Sequence, residues 1–294
     1  MRGAATVGIE AASVKQFLTL TLIGKDKSGV IASVTQTLFQ HKANIEALEE
    51  QVTRGRFSMT LQASWSAEDF EEKKVRSALG ALAVRLGMEL KLHFSARGRR
   101  QRLAILVTRE PHALEALLAA VRARRLAADP VVVIGNRPDL KPLAQKAGIP
   151  FVHVPFTERA LAEKRVLEEL EKAGADFIVL ARFMKILSPD FVWRWKNKII
   201  NIHPSLLPAF PGASAYRQAY EKGVKVVGVT AHFVTPDLDQ GPIICQEAFK
   251  TKPGESLAGI VKRGQAAEAR ALLRAVQLYL RKRLDVHWGR VYGV

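Results

Sequence analysis

Leu103-Ala104-Ile105-Leu106-Val107 is an unbroken apolar run, and two more like it follow, Val131-Val132-Val133-Ile134 and Phe177-Ile178-Val179-Leu180. A strand with one wet face alternates apolar and polar residues, whereas strands of a parallel sheet are covered on both faces and read as continuous apolar runs. Helical segments lie between these runs, at Ala113 to Arg124, Asp139 to Ala147 and Arg159 to Lys172, the last with Ala162, Val166 and Leu170 on one stripe. Strands alternating with helices predict a doubly wound, mostly parallel, Rossmann-like α/β sheet, whose ligands sit beyond the carboxyl ends of its strands.

Further along the same unit, Lys198-Ile199-Ile200 delivers Asn201 and His203 where a strand should stop. Pro204 withdraws a backbone donor there, and Pro208 and Pro211 keep the next segment irregular. A second apolar run, Val226 to Val234, ends in Thr235-Pro236-Asp237-Leu238-Asp239-Gln240-Gly241-Pro242, after which Ile243-Ile244-Cys245 starts another strand. Asp239 is therefore a loop carboxylate between two buried strands. Leu257, Ile260, Val261, Leu272, Leu273, Val276 and Leu280 mark the inward stripe of a long helix from Glu255 to Arg283, and Leu284 to Tyr292 reads as a final strand pair.

Upstream the pattern changes. Phe17 to Ile23 alternates, Gly29 to His41 carries Val30, Ile31, Val34 and Leu38 on one helical face, and Ile45 to Val52 pairs with Phe57 to Trp65 across Arg54-Gly55-Arg56. A helix over Phe70 to Leu86 and a strand over Met88 to His93 complete a ferredoxin-like α+β order. The expected division is a short, loosely ordered leader over 1–16, a small domain over 17–93, a polar and basic linker over 94–101, and a larger domain over 102–294.

At 294 residues the chain suits about two domains, and 48% apolar with 25% charged residues describes an ordinary globular protein. No stretch approaches the ~18 consecutive apolar residues of a membrane span, and the first sixteen residues lack the apolar centre of a secretory signal. Cys245 is the sole cysteine, so an intramolecular disulfide is impossible, and its apolar strand suggests a buried thiol in a reducing cytoplasm. The net charge of +17 is scattered, with clusters only at Arg97 to Arg100, Arg122 to Arg125 and Arg281 to Arg283. These fall at the linker and at helix ends, where cations complement the dipole, so neither a nucleic-acid nor a membrane partner is expected.

Singly, a His beside Pro or an Asp before Gln-Gly is often a loop or turn former. Jointly, Asn201, His203 and Asp239, with HPSLLP, Gly212, His232 and DxDxGPII around them, resemble the signature of the formyltetrahydrofolate-dependent formyltransferase and deformylase superfamily. The resemblance implies that Asn201 and His203 stabilise a developing oxyanion and that Asp239 orients His203 or holds and deprotonates water. His232, on an alternating strand, reads as a structural hydrogen-bonding residue slightly ahead of a catalytic one. Phe183-Met184-Lys185-Ile186-Leu187 resembles the superfamily's pterin-pocket segment, with Thr235 and Asp237 closing the other side; Asp237 reads equally as a turn cap. No metal and no tightly bound cofactor is implied, formyltetrahydrofolate being the substrate.

Gly24-Lys25-Asp26-Lys27-Ser28-Gly29-Val30, with Asn44-Ile45 opening the next strand, resembles an ACT domain. That family implies an amino-acid effector held at Asp26, Gly29, Val30, Asn44 and Ile45, or self-association alone, and in either case a homo-oligomer, dimer or tetramer. An ACT domain joined to this catalytic domain resembles the formyltetrahydrofolate deformylase family, which hydrolyses 10-formyltetrahydrofolate to tetrahydrofolate and formate and so feeds purine biosynthesis. Thr108-Arg109-Glu110-Pro111-His112 has none of the glycines that a phosphate cradle needs, which disfavours a phosphorylated acceptor. Pro204 and Leu206, however, look like the transferase form, since deformylases commonly carry a second His and Ser-Phe there. Formyl transfer to an amine and a catalytically silent folate or amino-acid sensor therefore stay open beside hydrolysis.

Overall fold

A computed structural model of the chain describes residues 16–53, 55–66, 68–96, 100–281, 284–287 and 289–293. The chain divides between Arg99 and Arg100 into two compact units. In the first, β1 (Gln16–Lys25), α1 (Val30–Gln40), β2 (Asn44–Thr53), β3 (Arg56–Trp65), α2 (Glu72–Leu86) and β4 (Glu89–Ala96) form an antiparallel sheet of order β2-β3-β1-β4 beneath two helices. The alternation of β1 sets its facing: Leu18, Leu20 and Leu22 are buried with Met59, Leu61 and Ala63 of β3 against Val30, Val34 and Leu38 of α1 and Val75, Leu79 and Leu82 of α2. Burial of each such Leu contributes ~1.5–3 kcal/mol.

The division departs from the expected boundaries in detail. Gln16, assigned to the leader, opens β1, and residues 94–96, assigned to the linker, pair with Leu18, Phe17 and Gln16 as the end of β4. Phe94 has an apolar role there, its ring 5.6 Å from that of Phe70, which the basic run following it in sequence hides. Residues 1–15 of the leader and 97–99 of the linker lie outside the described residues.

The second unit comprises β5 (Gln101–Val107), α3 (His112–Arg122), β6 (Ala128–Gly135), α4 (Lys141–Lys146), β7 (Phe151–His153), α5 (Arg159–Lys172), β8 (Phe177–Ala181), α6 (Pro189–Arg194), β9 (Ile199–His203), α7 (Ala215–Glu221), β10 (Val226–Phe233), β11 (Ile243–Lys250), α8 (Leu257–Leu280), β12 (Asp285–His287) and β13 (Arg290–Tyr292). Seven strands lie in the order β11-β10-β9-β8-β5-β6-β7, parallel from β9 to β7 and antiparallel at β10 and β11. The continuous apolar runs have the expected cause. Leu103, Ile105 and Val107 face a core shared with α3 and α8, while Ala104 and Leu106 face the opposite core, with Val166 and Leu170 of α5. Among the described residues no helix is long and apolar enough to cross a membrane.

Three elements have no counterpart in the sequence reading: β7, α6 and α7. Each is three to seven residues long, too short for a period to emerge. The order places a switch point at β5, whose chain continues to β6 on one side and, after β7, crosses back to β8 on the other. The carboxyl ends of β5 and β8 thus open a crevice between their outgoing loops.

Candidate active site

Asn201 and His203 are two residues apart on β9 and so project from one face of the sheet. The loop after them is held by Thr230, a fully buried β10 residue. Its hydroxyl donates to the Ser205 carbonyl at 2.7 Å and accepts from the Leu207 amide at 3.0 Å. Gln246 of β11 adds bonds from Nε2 to the Leu207 carbonyl at 3.0 Å and to the Thr230 hydroxyl at 2.9 Å. The segment that His203 leads into is therefore pinned from two strands, beyond what its prolines impose.

Asp239 arrives from the β10–β11 connection. Gly241 lets that connection pass over the end of β10, because a Cβ there would stand 1.7 Å from the Phe233 carbonyl oxygen. Asp239 itself adopts a positive φ of 57°, uncommon for a residue with a side chain. Its Oδ2 accepts from the Gly212 amide at 2.8 Å and lies 3.3 Å from His203 Nδ1. Gly212, at φ 82°, occupies a backbone region natural to glycine. The other ring nitrogen of His203, Nε2, is 3.0 Å from the Phe210 carbonyl. Both nitrogens face acceptors, an arrangement satisfied by a doubly protonated ring or by a proton shared with Asp239. The side chains of His203 and Asp239 are each 6% exposed.

His232 completes the group. It faces Asn201 across the antiparallel β9–β10 pair. Its Nδ1 is 2.9 Å from the Phe233 carbonyl, its Nε2 is 3.2 Å from Asn201 Nδ2 and 3.8 Å from Asp239 Oδ1. Burial holds its pKa below the ordinary 6.5, against the Phe233 hydrogen bond and the nearby Asp239, with His203 lowering it further.

The switch-point crevice forms a second feature, a cleft of about 360 Å³ lined by Thr108, Arg109, Glu110, Asn136, Arg137, Arg182, Met184 and Lys185. At its floor Arg182 donates to both oxygens of Glu110, from Nε at 3.2 Å and Nη2 at 3.0 Å. Arg182 also lies 3.4 Å from Glu268, a wholly buried carboxylate of α8 that accepts from the Tyr216 hydroxyl at 2.7 Å and faces His112 Nε2 at 3.2 Å. Glu110 is held below the usual carboxylate range: burial works against this, and the bonds and charge of Arg182 overcome it. Glu110, Arg182, Tyr216 and Glu268 escape a sequence reading because they come from four distant segments. One trace exists: Glu268 interrupts the buried stripe Gly264, Ala267, Ala271 and Leu272 of α8.

The residues expected to hold folate divide. Phe183 and Leu187 are buried, Phe183 edge-on to Phe156 at 5.2 Å, while Met184 and Ile186 stand 53% and 57% exposed. The Met184 amide is already bonded to the Thr108 hydroxyl at 2.9 Å. Lys185 lines the cleft with Met184. On the opposite segment Thr235 donates to the Asp237 carbonyl at 3.1 Å, the Asp237 side chain is exposed, and Leu238 is 49% exposed. Among the expected effector residues, Asp26, Gly29 and Val30 line a cleft of about 340 Å³ with Lys27, Glu50 and Phe57. Asn44 and Ile45 do not: they lie at the far end of β2, ~20 Å from Glu50 along an extended strand. Among the described residues no cluster of His, Cys, Asp or Glu has the makings of a metal site.

Residues 101–276 match the formyl transferase family and residues 16–93 the ACT domain family. The chain belongs to the formyl transferase family, with an ACT domain preceding the formyl transferase domain. Among its relatives, formyltetrahydrofolate deformylase of Bacillus subtilis is 37% identical over 267 residues, 89% of this chain and 88% of that one. A solved formyltetrahydrofolate deformylase from Pseudomonas syringae superposes with a TM-score of 0.66 at 30% identity, covering 97% of this chain and 96% of that one. Glycinamide ribonucleotide transformylase 1 from Symbiobacterium toebii superposes with a TM-score of 0.65 at 35% identity, covering 96% of that chain but 68% of this one.

Proposed function

We propose that the protein hydrolyses 10-formyltetrahydrofolate to tetrahydrofolate and formate. The observation that carries this reading is the convergence of Asn201, His203 and Asp239 in a chain that matches deformylases across both of its units. The transformylase match, confined to about two thirds of the chain, sets transfer to an amine behind hydrolysis. Intact Asn201, His203 and Asp239 weigh against a silent sensor.

In this reading water attacks the formyl carbon as Asp239 takes its proton. Asn201 Nδ2 and a protonated His203 stabilise the negative charge gathering on the formyl oxygen. The carbon–nitrogen bond then breaks, the proton passes to the departing folate nitrogen, and formate leaves. Exposed apolar Met184, Ile186 and Leu238 supply walls for the heterocycle, with backbone groups of the 183–187 segment reading its edge. The cleft at Asp26, Gly29 and Val30 serves as an amino-acid effector site, and the protein works as a homo-oligomer. Incubation with 10-formyltetrahydrofolate and no amine tests the central claim: equal amounts of formate and tetrahydrofolate should appear. Turnover that requires an added amine would replace hydrolysis by transfer.

A further inference from the structure

The contacts of His232 fix more than its own place. The Phe233 carbonyl accepts and never donates, so the nitrogen facing it at 2.9 Å, Nδ1, carries the ring proton. Burial keeps the ring neutral by lowering its affinity for a second proton. Nε2 is left with a bare lone pair, 3.2 Å from Asn201 Nδ2. A lone pair admits the NH₂ end of the Asn201 amide and rejects its oxygen. Among the described residues Asn201 makes no other side-chain hydrogen bond, and none of them but His232 decides which way its amide points.

We infer that His232 is a positioning residue for the reaction: through a fixed Nδ1–H tautomer it sets the orientation of the Asn201 amide and aims the remaining N–H as an oxyanion donor. The inference rests on the hydrolytic reading and extends it to a residue that touches no substrate. Its physical basis is that a donor pre-aimed at developing charge costs no reorganisation as the reaction occurs, whereas an amide free to flip presents its oxygen, an acceptor, part of the time. The cross-strand position of His232 opposite Asn201 makes the pair rigid, and Gly241 leaves room for the connection that covers it.

Two substitutions divide the ring into its two functions. Asparagine places an amide nitrogen near the position of Nδ1, so His232→Asn keeps the bond to Phe233 and withdraws the partner of Asn201. Glutamine reaches the position of Nε2, so His232→Gln keeps an acceptor for Asn201 and loses the Phe233 bond. The expected outcome is a fall in kcat on the order of 10²-fold for His232→Asn with little change in KM, and recovery of about tenfold in His232→Gln. The double variant Asn201→Ala/His232→Asn should be no slower than Asn201→Ala alone. Proton–nitrogen correlation NMR of the wild type should show His232 protonated at Nδ1 and bare at Nε2, with an Asn201 side-chain NH₂ signal that moves in His232→Asn. Full activity in His232→Asn, multiplied losses in the double variant, or a proton found on Nε2 would each overturn the inference. If the wild type makes no formate, the hydrolytic reading fails, while the tautomer and the Asn201 signal still decide whether His232 orients that amide.

Discussion

The amide nitrogen of Gly212 lies 2.8 Å from Asp239 Oδ2, the same oxygen that stands 3.3 Å from His203 Nδ1. One carboxylate oxygen thus ties the loop after β9 to the imidazole that the strand delivers. Asp239→Asn retains an oxygen for the Gly212 amide but removes the negative charge opposite His203. Turnover should fall by ~10²–10⁴-fold, the usual worth of a positioned acid or base, while the thermal midpoint stays close to that of the wild type. Formate release measured beside a melting curve checks both parts, and wild-type turnover in this variant would remove Asp239 from the mechanism.

Gly241 offers a test that leaves every catalytic group chemically intact. Alanine there would bring a Cβ to 1.7 Å from the Phe233 carbonyl oxygen, backbone that cannot swing aside as a side chain would. The connection carrying Asp239 must then lift, and Gly241→Ala should cost ~1–3 kcal/mol of stability together with most of the activity. Urea unfolding monitored alongside formate release should show both losses. An unperturbed, fully active variant would mean that this connection is far more compliant than its packing indicates.

Glu268 is wholly buried and shared by Tyr216, His112 and Arg182. Glu268→Leu fits the apolar stripe of α8 but leaves Arg182 with Glu110 alone and the Tyr216 hydroxyl without its acceptor. Breaking a buried ion pair on one side typically costs ~3–5 kcal/mol. A loss of that size in denaturant unfolding is expected, with partial recovery in Glu268→Gln, which keeps an acceptor for Tyr216.

The parts of this molecule that could be read from its sequence are those where one physical rule acts over a contiguous stretch. Leu103–Val107 announces a strand covered on both faces because every residue in it obeys the same constraint, and α5 is found at Arg159–Lys172 because fourteen residues sustain a stripe. The Asn201, His203 and Asp239 grouping is legible through the resemblance of the joint motif to the formyltransferase and deformylase superfamily, whereas the strand end and the proline-rich turn mark only the loops that carry those residues. Contacts that join distant segments leave few. Nothing near Arg182 points to Glu110 or Glu268, and nothing in Phe183 to Leu187 tells that the first and last turn inward while Met184 and Ile186 face solvent. Asn44 and Ile45 stand apart from the cleft at Asp26, Gly29 and Val30, because adjacency to a strand start says nothing of which end of the strand meets a cleft.

The buried, neutral state of His232 also fixes the direction in which stability changes with pH. Its folded pKa lies below the ordinary 6.5, chiefly through burial, so below that value the unfolded chain takes up a proton that the folded one refuses. The contribution of His232 is therefore fully present above pH 6.5 and is lost as pH falls toward the folded pKa, with a slope of up to ~1.4 kcal/mol per pH unit for one proton. His232→Gln removes the titrating group and should flatten this part of the profile without changing the part due to other residues. Urea unfolding of both proteins in steps from neutral pH downward measures the difference directly. Parallel profiles would mean that the ring accepts its second proton in the folded protein as readily as in the unfolded one, and that Nε2 is not held as a bare acceptor.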